Sequence, residues 1–557
     1  MTEDTFPLVL SLTLLYLEAM ATKLTVPIAA PNLQQANRQI KVAKTAGAEM
    51  LELRTDYLQN LNVDLVKKLI AQAKAATMLP LIVTCRDKKQ GGAIDYPLQL
   101  RLDVLAAALN AGAEFVDCEY ENFLPAENRE KIELALSQNS KARLILSAHS
   151  FESKFDNIEK HFRQILAVCP DAIPKLIYTA NHINDCFEAF DLLHNTGGER
   201  IIFCMGEAGL ISRIIAKKLG SFVTFASVDD KTATAPGQLT IEQLKTIFRW
   251  DSINSDTELY GIIGSPVAHS LSPVVHNACF ADIGANKLYL PLLVAGGQGE
   301  FNQFMDNCLS RAWLGFRGFS VTIPHKENAL NYIKSKGGLI DPLAEKIGAI
   351  NTLIIDEGRG TSDDRRISAY NTDCPAALDA IIAGLGIDRS GLYKMPVAVI
   401  GAGGAARAIV AGLDDADAIV TIYNRTAERG RKLAAEFNCN FAPLDDLPNL
   451  NAKLVINATS IGMKRTEGGR QRTEDRGQKT GYETPILKKY LKSDMVVFDT
   501  IYNPAETLLL KQAKQLGCRT IPGLSMFLNQ AAAQFKLFTG KNPNMELMRK
   551  IVSAAQK

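Results

Sequence analysis

The stretch VAVIGAGGAARA, Val397 to Ala408, decides how the second half of this chain folds. Its apolar start reads as a buried strand, its glycines as a tight turn, and its alanines as the opening of a helix. Gly401 permits the turn, and Gly403 lets backbone come close to a pyrophosphate. Gly404 and Ala405 keep the helix start slim, while Ala406 stands where the third small residue of a G-x-G-x-x-G/A pattern packs helix on strand. The helix N-terminus then offers unpaired N–H groups to an anion. Gly401, Ala402, Gly403, Gly404 and Ala405 thus form a candidate dinucleotide-binding turn.

The next strand narrows the cofactor. Ala418 to Tyr423 is apolar and ends in Asn424-Arg425-Thr426, about 20 residues on, where an acidic residue holds the ribose in NAD-binding folds. No Asp or Glu stands there. A guanidinium at that point pairs with a 2′-phosphate, so the cofactor expected is NADP.

Composition bounds the rest. With 557 residues, 47% of them hydrophobic, the chain is long enough for two or three globular domains. A net charge of +2 accumulates neither sign, which argues against nucleic-acid or membrane-surface partners and leaves small molecules. Ten cysteines without C-x-x-C pairs read as free thiols in a reducing cytoplasm, and no metal-ligand cluster is visible. Phe6 to Leu17 is apolar but follows Glu3 and Asp4 rather than a basic segment, and it is too short to span a bilayer. The ordered fold is expected to begin near Lys23, so residues 1–22 read as a dispensable extension without an assigned role, or as the product of a start codon read too early, with Met20 the true start. Oligomeric state is open, a monomer included.

From Lys23 to residue 250, eight β-rich runs alternate with helix-length segments: LTVPIA, MLELRTD, PLIVTCR, EFVDCEY, RLILSAHS, PKLIYTA, RIIFCMG and SFVTFASV. Strands this apolar are covered on both faces, and the pattern predicts a (β/α)8 TIM barrel. Chemistry in such a barrel sits at the C-terminal strand ends, which here carry Glu52, Arg54, Arg86, Glu119, His149, Lys175 and, at the start of a helix past the seventh strand, Arg213. Lys175 should point inward, where burial beside Arg54 or Arg213 disfavours its ammonium form and makes it a carbonyl nucleophile. A lysine snorkelling at the rim is the competing reading. His149, a proton shuttle at the end of the fifth run, favours the nucleophile.

These motifs resemble type I 3-dehydroquinate dehydratases over nearly the whole barrel: ELRTD (Glu52–Asp56), SAHSF around His149, PK at Lys175, MGEAGLISR ending in Arg213, and TAPGQ (Thr234–Gln238). The resemblance implies a Schiff base between Lys175 and the ketone of 3-dehydroquinate, with His149 as general acid/base. It also implies that Arg213 binds the carboxylate and that Glu52, Arg54, Arg86, Thr234 and Gln238 hold the remaining oxygens. Gln90 stands where some members have Glu, and Thr234 where others have serine; both keep a hydrogen-bonding group.

Asp251 to Glu258, DSINSDTE, is polar and unpatterned and reads as a linker. A fresh strand from Leu259 leads into SPVAHSLSPVVHN, where Ser270 and Ser272 precede a helix. They act either as a cap or as a grip on a carboxylate. GFRGFSVTIPHK, GAINTL and AYNTD then bring Lys326, Asn351 and Asp373 to the ends of extended runs. A Lys/Asp pair in a nicotinamide site donates the proton that ketone reduction requires.

These segments resemble shikimate dehydrogenases from Leu259 to about Gly540. The resemblance implies Ser270 and Ser272 at the shikimate carboxylate, and Thr322, Asn351 and Gln530 at ring hydroxyls. Lys326 and Asp373 become the catalytic pair, and Tyr502 a substrate contact. Thr459, Thr500 and Gly523 join Asn424, Arg425 and Thr426 around NADP. The fold expected is a barrel (23–250), a linker (251–258), an α/β substrate lobe (259–375), a Rossmann lobe (376–524) and returning helices (525–557). Lys464 to Thr480, with six Lys/Arg and no aromatics, reads as a solvated insertion.

The implied chemistry is a dehydration followed by reduction of its product, the combination found in fused dehydroquinate dehydratase/shikimate dehydrogenases. A quinate-preferring second half and a non-catalytic metabolite sensor on the same folds are the alternatives. Arg425 with the paired serines speaks against the first, and the intact Lys175, His149, Lys326 and Asp373 against the second.

Overall fold

A computed structural model describes residues 22–229, 234–235, 237–356, 366–463 and 484–556. The insertion read at 464–480 and the N-terminal extension, apart from Thr22, lie outside the described residues. The chain divides into two compact units: residues 1–259 with 286–295 and 303–315, and residues 260–285 with 296–302 and 316–557.

The first unit is built on eight parallel strands: β1 (Lys23–Ile28), β2 (Met50–Arg54), β3 (Leu81–Thr84), β4 (Phe115–Glu119), β5 (Arg143–Ser150), β6 (Ile173–Thr179), β7 (Ile201–Met205) and β8 (Val223–Phe225). Neighbours in sequence pair from β1 to β7, and β8 pairs back onto β1. A backbone bond from Phe222 N to Arg200 O, 2.7 Å long, spans the approach to β7 and β8, so the barrel is nearly closed. The helices expected after the last two strands are shorter than predicted. Leu210–Ile214 follows β7 only after Gly206 and Gly209, both poor helix formers, and after β8 a π-helical turn covers Gln243–Ile247.

Parallel neighbours show their side chains to the same face, and every second residue returns to it. Met50, Ile82, Ile145 and Ile173 belong to the apolar cluster inside the barrel. Two residues further along those strands, on the same face, stand Glu52, Thr84, Ser147 and Lys175, with Ser147 opposite Lys175 in register. One pleat therefore separates the dry floor of the barrel from its ionisable ring.

The segment read as an unpatterned linker is a tight turn. Asn254 N donates to Thr257 Oγ1 at 2.9 Å and Asp256 N to Asn254 Oδ1 at 2.9 Å, as polar residues capable of side-chain turns do. The following strand already begins at Glu258.

The second unit holds two sheets. One is mixed and includes, in order, Glu258–Gly264, Phe316–Val321, Thr352–Asp356, Arg366–Tyr370 and Leu339–Ile340. The other is wholly parallel: Asn440–Pro443, Ile419–Asn424, Pro396–Ile400, Leu454–Asn457, Val496–Asp499 and Arg519–Pro522. In chain order this is third, second, first, fourth, fifth, sixth, the arrangement of a doubly wound dinucleotide fold. Its switch point lies between Pro396–Ile400 and Leu454–Asn457, where ligands bind such sheets.

Candidate active sites

The ionisable ring of the barrel lines a cavity that opens to solvent. Glu52, Arg54, Arg86, His149, Lys175, Arg213, Thr234 and Gln238 all line it. Lys175 is 3% exposed. Its Nζ lies 2.7 Å from Asp117 Oδ2 and 3.5 Å from Glu52 Oε1, and 4.7 Å from the centre of the Phe225 ring. The neighbours expected for this amine were Arg54 and Arg213, and the structure sets carboxylates against it instead. Arg54 is drawn away by Asp56, two residues on, through two bonds of 2.8 Å. Arg213 lies over Phe203, 4.4 Å from the ring centre, and stands in the last turn of its short helix rather than at its start.

Asp117 is the member of this site that the sequence did not reveal. Its Oδ2 also accepts Arg86 Nη2 at 2.6 Å, and its Oδ1 accepts Ser147 Oγ at 2.6 Å. Burial pushes its carboxyl up, but Arg86 and Lys175 outweigh that and hold it well below the usual carboxylate range. Arg86, expected to hold substrate oxygens, also donates to Glu119 at 2.9 Å and Ser147 at 2.7 Å, so most of its donors are committed within the protein.

His149 Nδ1 meets Gln90 Oε1 at 3.0 Å. Burial, followed by the charges of Arg86 and Lys175, pushes the imidazole well below its ordinary value, so the ring is neutral at pH 7. With Nδ1–H donated to Gln90, the lone pair stands on Nε2 and is free to act as a base. Arg213 is 2% exposed, burial lowers it to about 10, and its Nε has no partner among the described residues. A buried cation of this kind suits an anionic ligand group. Gln238 Oε1 accepts Thr234 N at 2.7 Å and Thr234 Oγ1 at 3.3 Å, and its amide hydrogens meet no acceptor among the described residues.

The second site is assembled at helix starts. Lys326 opens the helix Lys326–Lys336, Asp373 opens Asp373–Leu385, and the two form an ion pair with both side chains largely buried. Asn371 fixes Asp373 there, its Oδ1 accepting Asp373 N at 3.0 Å and Cys374 N at 3.2 Å. Asn351 stands at the start of the strand Thr352–Asp356, not at the end of an extended run as expected. The chain must turn there to bring its amide onto Thr372: Oδ1 accepts Thr372 N at 2.8 Å and Nδ2 donates to Thr372 Oγ1 at 2.9 Å. Thr322 N is held by Ile263 O at 2.8 Å.

Leu271 holds the N-cap position of the helix Ser272–Asp282, so neither serine is its N-cap residue. Ser270 Oγ accepts Ser272 N at 3.2 Å and hydrogen-bonds Tyr502, whose ring stacks on Phe527 at 4.2 Å. Gln530 Nε2 donates to Phe527 O at 3.0 Å within its own helix, Leu524–Thr539. One turn on, Gln534 was not foreseen: it is 2% exposed, accepts Ser320 Oγ at 2.7 Å and donates to Asn351 O at 3.2 Å. A lone amide in an apolar helix carries no sequence signal for such a role.

At the switch point Gly401 adopts φ 115°, a conformation that favours glycine. A Cβ on Gly403 would meet nothing within 4 Å, so the backbone there is open to a ligand. Gly403 precedes the helix Gly404–Asp414, whose first turn has no side-chain cap. A Cβ on Gly404 would instead lie 2.8 Å from Lys326 Cδ, and one on Gly523 2.4 Å from Thr500 O. Asn424 Nδ2 donates to Thr426 O at 2.8 Å, shaping the turn that leaves Arg425 exposed. Thr459 is held by Asn457, and Thr500 N by Asn457 O at 3.1 Å. The open glycine turn, free helix N-terminus and exposed arginine fit a phosphorylated dinucleotide.

Fold and geometry define a two-site enzyme, a lysine-bearing parallel barrel joined to a nucleotide-dependent oxidoreductase. Residues 24–255 match the type I 3-dehydroquinase family. Residues 262–353 match the shikimate dehydrogenase substrate binding domain, 387–479 shikimate/quinate 5-dehydrogenase, and 523–552 the shikimate 5′-dehydrogenase C-terminal domain. The chain is 34% identical to a bifunctional 3-dehydroquinate dehydratase/shikimate dehydrogenase, chloroplastic, of Arabidopsis thaliana over 95% of its own length and 83% of the relative's. A shikimate dehydrogenase (NADP+) of Methanocaldococcus jannaschii is 36% identical over 54% of this chain and 98% of that protein. Among solved structures, shikimate 5-dehydrogenase of Thermus thermophilus in complex with NADP(H) and shikimate is 31% identical, over 54% of this chain and 99% of that one, with a TM-score of 0.43. The chain belongs to the bifunctional 3-dehydroquinate dehydratase/shikimate dehydrogenase family.

Proposed function

We propose that this chain dehydrates 3-dehydroquinate to 3-dehydroshikimate in the barrel and reduces that ketone to shikimate with NADPH in the second unit. The observation that carries the reading is one cavity holding a buried amine, Lys175, and a neutral imidazole, His149. Attack of Lys175 on the substrate ketone, with loss of water, gives an imine that draws electrons from the adjacent carbon. His149 Nε2 takes the proton from that carbon, the β-hydroxyl leaves as water, and hydrolysis of the imine frees Lys175. Arg213 binds the substrate carboxylate, and Glu52, Arg54, Thr234 and Gln238 its hydroxyls. Asp117 holds the charges of Arg86 and Lys175 in place.

In the second unit, Ser270 and Ser272 bind the shikimate carboxylate, with Thr322, Asn351, Tyr502 and Gln530 around the ring. NADPH, when bound, supplies a hydride. Gly401 to Ala405 and the helix start hold its pyrophosphate, Asn424, Arg425 and Thr426 its 2′-phosphate side, and Thr459, Thr500 and Gly523 its nicotinamide side. Lys326 beside Asp373 gives the proton to the ketone oxygen. Residues 23–250 form the dehydratase, 259–375 the substrate lobe, 376–524 the cofactor lobe and 525–557 the return. Ten free cysteines, eight of them buried, support a reducing, cytoplasmic setting. Among the described residues no helix is long and apolar enough to cross a membrane.

Borohydride reduction in the presence of 3-dehydroquinate tests the chemistry. Mass spectrometry should find substrate attached at Lys175, and attachment at another residue would overturn the imine assignment.

A further inference from the structure

The fourth and fifth strands of the parallel sheet end in a buried polar pair to which the reaction as described gives no part. Asn457 and Asp499 are each 0% exposed, lie opposite one another in register, and are joined by a bond from Asn457 Nδ2 to Asp499 Oδ1 of 2.9 Å. The other partners of Asp499 also donate: Ile501 N to Oδ1 at 3.1 Å and Thr507 Oγ1 to Oδ2 at 2.6 Å. A carboxylate surrounded by donors can only accept, so it fixes the NH2 of Asn457 toward Asp499 and the carbonyl of that amide outward. The same NH2 also donates to Ile461 O at 3.2 Å, so both ends of the amide reach the loop. The outward carbonyl accepts Thr459 N at 3.0 Å and Thr459 Oγ1 at 2.7 Å, and Thr459 Oγ1 in turn accepts Ile461 N at 3.1 Å. An amide has two orientations, and the other one would present donors to both Thr459 groups and release the loop.

We propose that Asp499 is a positioning residue for cofactor binding: it fixes the orientation of Asn457, which fixes the loop Thr459–Ile461 at the sheet's switch point. Ile501 and Thr507 hold the carboxylate itself. The inference rests on the reading that this unit binds NADPH, and it adds a buried donor–acceptor relay to that reading.

Three variants test it, with NADPH affinity measured by fluorescence titration and folding by thermal melting. Asn457→Asp opposes two carboxylates and should raise the NADPH Kd about tenfold, the loss of one or two hydrogen bonds. Asp499→Leu removes the acceptor and should raise the Kd by a similar factor. Asp499→Asn keeps an oxygen where Asn457 Nδ2 and Ile501 N donate and sets its NH2 against Thr507 Oγ1, a hydroxyl that can accept, so it should bind NADPH within about threefold of wild type. Should Asn457→Asp fail to fold, the two Asp499 variants decide. Wild-type affinity in Asn457→Asp or Asp499→Leu, or affinity reduced about tenfold in Asp499→Asn, overturns the proposal. A wild-type chain that does not bind NADPH overturns the functional reading and this inference with it.

Discussion

Lys175 Nζ and Arg86 Nη2 share one carboxylate oxygen, Oδ2 of Asp117, at 2.7 and 2.6 Å. Two buried cations so close are tolerated because this anion lies between them. Asp117→Asn keeps the shape and removes the charge. Dehydratase turnover should fall about 100-fold and barrel stability by about 3 kcal/mol, while reduction of 3-dehydroshikimate is retained. Turnover assays with thermal melts check this.

The dehydratase should stay active on the acid side of neutrality. The His149 ring is held well below the ordinary histidine value by burial and by Arg86 and Lys175, so its basic form persists as pH falls through that value. Gln90→Glu places a negative charge at Nδ1, favours the imidazolium and raises the group. Activity that needs the neutral ring is then lost at higher pH, and the acid limb of kcat/KM moves upward. An unmoved limb would detach Gln90 from the ionisation.

The adjacent glycines Gly403 and Gly404 should fail differently. Gly403→Ala adds a methyl where the backbone is open and should weaken NADPH binding. Gly404→Ala presses on Lys326 Cδ, whose amine is held by Asp373, and should lower kcat about 10- to 100-fold at saturating NADPH. Steady-state kinetics with varied NADPH separate the two.

Arg425→Ala removes the charge-assisted contact expected at the 2′-phosphate. The preference for NADPH over NADH, read as a ratio of kcat/KM, should shrink about 10- to 100-fold.

The eight barrel strands were legible because parallel strands covered on both faces leave continuous apolar runs, and the cofactor lobe because a glycine turn sits between strand and helix. In the structure Ser147 stands opposite Lys175, so His149, two residues beyond Ser147, shares the face of the amine. Asp117 was not legible. It lies within the apolar run EFVDCEY, and its partners Arg86 and Lys175 come from other strands, brought together by register rather than by proximity in sequence. The surroundings of Lys175 were misread for the same reason, since which charge faces an amine depends on strands 31 to 58 residues distant from one another. Gln534 and Asp499 are single polar residues in apolar elements, and only tertiary contact distinguishes them from tolerated exceptions.

The central claim is that one chain carries out both steps in succession, the first through Lys175. Given 3-dehydroquinate and NADPH, the wild-type chain should oxidise NADPH. Lys175→Ala should oxidise it only when supplied with 3-dehydroshikimate. NADPH oxidation by Lys175→Ala from 3-dehydroquinate at the wild-type rate would contradict the account.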